Sequence, residues 1–256
     1  APDILFENSV QQVDLSPDHL WLSVEGGVGA HGGTFALLQL DGRNLPIAAS
    51  GFSDSPGVAF FEDLNADGRL DLILTQHDHY VFCYACGVRY LNFRVLTWDE
   101  ATQALREVAL QPLSADQQDH PAYTAVNRAV ELAQADLWPA AQAEIASAQS
   151  LAAGSDAPLA ADILDWDATL IDLYVNAWQD ELASSPYPLL SQIFYGDYAA
   201  ALKAELHESG YDFVSTADTE MIAYAMAEAV DADQGWINGA ISAFKRCQGA
   251  FSLVIG

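Results

Sequence analysis

Phe60-Phe61-Glu62-Asp63-Leu64-Asn65-Ala66-Asp67-Gly68-Arg69-Leu70-Asp71-Leu72-Ile73-Leu74 is the stretch on which the reading of this chain turns. Short apolar runs, Gly57 to Phe61 and Leu70 to Leu74, stand on either side of a polar loop. Runs of that length bounded by turn residues predict buried strands, so the stretch reads as strand, loop, strand. Within the loop, oxygen-bearing side chains recur at every second residue, and Gly68 permits the sharp turn that would gather them. A hard cation such as Ca²⁺ takes roughly six to eight oxygen ligands. The loop can offer Asp63, Asn65, Asp67, the backbone carbonyl of Arg69, and Asp71.

An EF-hand is excluded, because its bidentate Glu at loop position 12 is replaced by Leu74 and its flanking helices by strand-like runs. Three carboxylates crowded into so short a loop would also repel one another without a cation. On these residues, the segment from about 57 to 110 resembles the FG-GAP or VCBS-type repeat of extracellular β-propeller and adhesion proteins. The resemblance implies Ca²⁺ bound through Asp63, Asn65, Asp67, Arg69 (backbone) and Asp71.

Turn signals such as Gly26-Gly27, Asp41-Gly42 and Ser55-Pro56-Gly57 punctuate the first 115 residues, whereas alanine-rich runs of helical period fill the rest. The expectation is an α+β chain: an antiparallel β domain over 1–115, blade-like or a sandwich, followed by an all-α helical-hairpin domain over 116–256. Strands are expected at Leu20 to Val24, Phe35 to Leu40, Val58 to Phe61, Leu70 to Thr75, Tyr80 to Phe82 and Val88 to Leu96. Helices are expected over 121–135, 138–152, 158–183, 188–208, 217–231 and 236–248. The third should bury Leu159, Ile163, Trp166, Leu170, Leu173, Tyr174 and Ala177 on one face.

Ala129, Leu132, Trp138, Ala141, Ile145 and Ala148 fit one unit of a tetratricopeptide-like array over about 120–250, and Gly196-Asp197-Tyr198 with Ala201 and Leu202 echoes another. A solenoid of this kind would offer a groove to a protein partner; a compact bundle covering the β domain is the alternative. About 115 residues supply at most two blades of a propeller, so the β edges need covering by the chain's own helices or by other copies, and the apolar tail Ala250 to Gly256 could add a strand to a neighbour.

The chain has 256 residues and a formal charge of −27, from 36 acidic and 9 basic residues. That charge disfavours nucleic acid and anionic membranes as partners. No apolar run reaches the roughly 18 residues that a spanning helix needs. The start at Ala1-Pro2-Asp3, with the calcium-type loop, reads as an exported protein. In that setting Cys83 and Cys86 are expected to form a local disulfide; a zinc site with His77 and His79, or free thiols, are the alternatives, and Cys247 is expected in a helix core.

Catalytic patterns are weak. Gly26 to Gly33 lacks the Lys-Ser/Thr of a phosphate loop and reads as a mobile hairpin connection, and Gly51 to Gly57 lacks the G-x-S-x-G elbow. Asp162, Asp165 and Asp167 read as a solvated helix face around Trp166, and Trp21, Trp98, Trp178 and Trp236 suit sugar stacking or a core equally. The functional expectation is therefore a secreted or cell-surface, calcium-stabilised structural or interaction protein and not an enzyme. It would bind a protein partner or copies of itself, as a homo-oligomer or polymer. A monomeric extracellular module binding a peptide, protein or glycan through the helical groove is the alternative.

Overall fold

The computed structural model describes residues 4–5, 8–29, 32–55, 57–76, 91–155, 159, 161–184, 206–211, 224–225, 227–228 and 241. Strands come first and helices after, as expected of an α+β chain. The expected positions 80–82, 88–90, 158, 160, 188–205, 217–223, 226, 229–231, 236–240, 242–248 and the tail from Ala250 lie outside the described residues, as do His77, His79, Cys83, Cys86, Trp236 and Cys247.

By compactness the chain divides into two units. One holds the described strands to Gln111 together with Asp165–Leu170; the other holds Pro112–Leu164 and continues from Ile171. The strand-bearing unit contains two antiparallel meanders. The first is ordered β1 (Val10–Val13), β2 (Trp21–Val28), β3 (Gly32–Gln39), β4 (Ile47–Ser53); the second is β5 (Ala59–Glu62), β6 (Asp71–Thr75), β7 (Phe93–Asp99), β8 (Ala104–Val108). One core joins them: Trp21, Phe35, Leu37 and Ala49 from the first sheet meet Leu72, Leu74, Leu96 and Trp98 from the second. In β3 burial alternates, with Phe35 and Leu37 turned inward, as a sheet with one face on a core requires.

Two glycine-bearing runs contribute to the strands. Of the run Gly26 to Gly33, the two ends are strand: Gly26 pairs with Thr34, Gly27 with Gly33 and Val28 with Gly32, so four of its glycines are ladder residues, while Gly29 (φ 62°) takes the turn. The pairing is dense because a Cβ on Gly32 would stand 2.9 Å from the Val28 carbonyl oxygen and 3.2 Å from the Phe52 ring. Gly51 lies inside β4, where a Cβ would meet Val58 Cγ1 at 2.9 Å and Leu74 Cδ2 at 3.3 Å. The missing side chain lets the two sheets close over each other.

In the helical unit, Asn127 holds the lead-in to α1 (Tyr123–Gln134) by accepting the Leu113 N–H at 2.7 Å. A hairpin joins α1 to α2 (Trp138–Ala153), with Asp136 at φ 58° taking the left-handed turn and Leu137 N–H closing on the Leu132 carbonyl at 2.9 Å. Ala125, Ala129, Ala133, Ala141 and Ala148 are all buried, which allows close helix approach, and Val126, Leu132 and Ile145 fill between them. The third helix, α3, is Ala161–Ser184. Its most buried line runs Leu164, Asp167, Ala168, Ile171, Val175 and Trp178, displaced from the expected stripe; Trp166 and Leu170 are buried as well. The solvated face expected of Asp162, Asp165 and Asp167 holds for the first two only, since Asp167 is 0% exposed. No described helix is long and apolar enough to cross a membrane.

Candidate functional site

The loop between β5 and β6 folds on its own side chains. Asp63 accepts the Asp67 N–H at 3.0 Å through Oδ1 and the Gly68 N–H at 2.9 Å through Oδ2. Asn65 Oδ1 accepts the same Asp67 N–H at 3.1 Å, and Asp67 Oδ1 accepts the Arg69 N–H at 2.9 Å. These interlocked turns need left-handed backbone at Ala66 (φ 57°) and Gly68 (φ 85°). Arg69 turns its guanidinium outward to pair with Glu100, at the β7 to β8 turn.

Asp71 differs from its neighbours because it is the first residue of β6 and is 1% exposed. Its Oδ2 accepts the Leu64 N–H at 3.1 Å, and Thr97 supplies a further side-chain hydrogen bond. Burial is the main influence on this carboxyl and raises its pKa above the ordinary value; the two hydrogen bonds work against that, and the charges of Asp67 and Asp63 add to it. The mutual repulsion expected from the spacing is thus present, and a divalent cation would relieve it. The donor set is all oxygen, which suits Ca²⁺. Among the described residues, however, no three His, Cys, Asp or Glu groups gather closely enough to hold a metal without rearrangement. The loop carboxylates are spent first on backbone amides.

Beside the loop lies a cleft of about 600 Å³ lined by Gln12, Asp14, Ser16, Asp18, His19 and Arg69, among others. The residues from Asp14 to Leu20 connect β1 to β2 and are pinned by Leu15, 1% exposed in the core. Trp21 and Trp98, weighed as sugar platforms, are core residues with ring centroids 5.6 Å apart in an edge-to-face pair, and Trp178 is also buried. The position that sequence reasoning missed is Asp167. Its Oδ1 accepts the Gln111 N–H at 2.8 Å while Oδ2 is buried without a hydrogen bond. Burial pushes its pKa up to about 7. The signal was the helical register: moving the stripe by one residue places Asp167 inside.

A stretch of 56 residues is 52% identical to an amidophosphoribosyltransferase of Synechocystis sp., covering 22% of this chain and 11% of that protein. A stretch of 55 residues is 46% identical to an amidophosphoribosyltransferase of Synechococcus elongatus, again 22% of this chain and 11% of that protein. The chain therefore spans about a tenth of the length of the curated relatives it matches. No family model matches the chain, and no solved structure does.

These similarities correct the functional expectation. The relatives bear the name of an enzyme, which overturns the secreted structural or interaction protein, its extracellular binding-module alternative and the exclusion of catalysis. The extracellular or cell-surface location, and the self-assembling and disulfide-bonded character attached to it, fall with that reading. They rested on a cation loop, the residue at which the sequence starts, uncovered β edges, an apolar tail and the spacing of Cys83 and Cys86, none of which reports on catalysis.

Proposed function

We propose that this chain serves chemistry of the amidophosphoribosyltransferase kind through the stretch it shares with the two transferases, and that its strand-bearing unit is a support stiffened by Ca²⁺ in the loop from Asp63 to Asp71. The observation carrying the first half is 52% identity sustained over 56 residues. The test exchanges the matching stretch of the Synechocystis enzyme for the one in this chain and measures transferase turnover. Activity within about tenfold of the parent, a loss of up to about 1.4 kcal/mol in transition-state stabilisation, is the expected result. A folded chimera without activity would overturn it.

The second half is supported by the all-oxygen loop and by the repulsion that Asp63 and Asp67 exert on Asp71. Calcium binding requires the carboxylates to exchange some amide contacts for metal contacts, which couples binding to the order of the β5 to β6 connection. Any partner in this reading is a protein, because a charge of −27 repels the phosphates of nucleic acid. Calorimetric titration with Ca²⁺ against Mg²⁺ tests the site, and absence of calcium heat at millimolar concentration would remove it.

A further inference from the structure

We propose that Ser16 and His19 form a nucleophile and base pair in the 600 Å³ cleft, acting on short neutral or cationic acyl esters. The pair is built by a chain of hydrogen bonds. Trp21 Nε1–H, which can only donate, hydrogen-bonds to Ser16 Oγ at 2.9 Å. One lone pair of the serine is thereby used and its hydroxyl hydrogen is left to donate. In the tautomer that carries its proton on Nε2, the near acceptor is His19 Nδ1, 3.1 Å away. The imidazole is held in place by packing, its centroid 5.1 Å from Trp98 and 6.1 Å from Trp21. A hydroxyl within hydrogen-bond reach of a ring nitrogen is the geometry by which a base activates a serine, and here the two tryptophan rings orient the base by packing.

The surroundings define the substrate class. Ser16 and His19 are half-buried, within reach of a bound ester, while Asp14 and Asp18 are exposed on the same cleft. Their charge, part of the −27 of the chain, stands against a single Arg69 already paired with Glu100, so the cleft repels anionic esters and favours neutral or positively charged ones. In the reaction, Ser16 Oγ bonds to the acyl carbon as its proton passes to His19 Nδ1. The ester C–O bond then breaks, and the leaving alcohol takes the proton from His19. Water, deprotonated by the same ring, attacks the acyl-serine; the acid departs and Ser16 regains its hydrogen. Nothing is oxidised or reduced, and the inference stands independently of the transferase reading.

The test treats the full chain with a short alkyl fluorophosphonate and locates the adduct by peptide mass spectrometry, alongside hydrolysis of p-nitrophenyl acetate. The expected result is an adduct on Ser16, lost in Ser16→Ala, with labelling and hydrolysis slowed at least about 100-fold in His19→Gln, the scale of general-base assistance. Thermal melting of each variant separates loss of activation from loss of fold. No adduct on Ser16 in the folded wild-type chain overturns the proposal. So does labelling of Ser16 at the same rate in a folded His19→Gln variant, which would make the serine an ordinary hydroxyl.

Discussion

The carboxylate of Asp167, inside α3, accepts the backbone N–H of Gln111 at 2.8 Å across 56 positions of sequence. The contact fixes the chain just beyond β8 to a helix formed much later, and it does so with a group that resists ionisation. A carboxyl whose pKa stands near 7 in the folded state and near 3.8 in the unfolded chain holds its proton preferentially when folded. Its stabilising contribution is complete below pH 4 and is lost as pH rises through 7. The difference between those two values corresponds to about 4 kcal/mol, an upper figure since local relaxation reduces it. Urea unfolding of the wild type and Asp167→Asn from pH 4.5 to 8.5 checks this: the variant should gain relative to wild type as pH rises, and parallel curves would refute the assignment.

Gly68 offers a cleaner backbone test. It sits at φ 85° in the loop, and a Cβ there would meet nothing within 4 Å. Gly68→Ala should therefore cost about 1 to 2 kcal/mol through left-handed backbone strain alone. Because that conformation brings the Gly68 N–H to Asp63 Oδ2, the variant should also weaken calcium binding in titration. A melting temperature and calcium affinity equal to wild type would show that the loop does not depend on this turn.

Gly51 should also lose stability on the same substitution, but for the opposite reason, crowding in place of backbone strain. Its backbone is ordinary extended strand, but its absent side chain is filled by Val58 and Leu74 from the facing side of the core. Gly51→Ala should destabilise by about 1 to 3 kcal/mol through overpacking. Adding Val58→Ala removes the nearest atom, Cγ1 at 2.9 Å, so the double variant should lose less than the sum of the two single losses. Strict additivity in denaturant unfolding would locate the cost elsewhere.

These residues also mark what the sequence could and could not disclose. The β5–loop–β6 unit was legible because alternating oxygens, a glycine and two flanking apolar runs are local signals, and all three appear in the structure. The α1–α2 hairpin was legible from its alanine periodicity. By contrast β4, with Gly51 at its centre, carries exposed Ile47 and Phe52 and small inward residues, a pattern that propensity alone reads as a turn. Its strand character comes from pairing with β3, a long-range fact. Asp167 was hidden for a related reason. A polar residue in an amphipathic helix is assigned outward by pattern, and only tertiary packing shows it turned in.

Calcium should show itself as stability before it shows itself as chemistry. If the loop from Asp63 to Asp71 binds the ion only when folded, stabilisation follows RT ln(1 + [L]/Kd), about 2.7 kcal/mol at a hundredfold excess over Kd. The melting temperature should therefore rise with added Ca²⁺ and fall with chelator. The response should shrink in Asp63→Asn, since that carboxylate is the hub on which the Asp67 and Gly68 amides converge. Asp71→Asn should behave differently. Its side chain is buried and bonded to Leu64, so neutralising it relieves the repulsion from Asp63 and Asp67 in the metal-free chain while removing a ligand from the metal-bound one. The expected signature is a variant more stable than wild type in chelator and less stable in excess calcium, a crossing that differential scanning fluorimetry can read. Two curves that never cross would place Asp71 in the core alone and leave the cation, if bound, to the remaining loop oxygens.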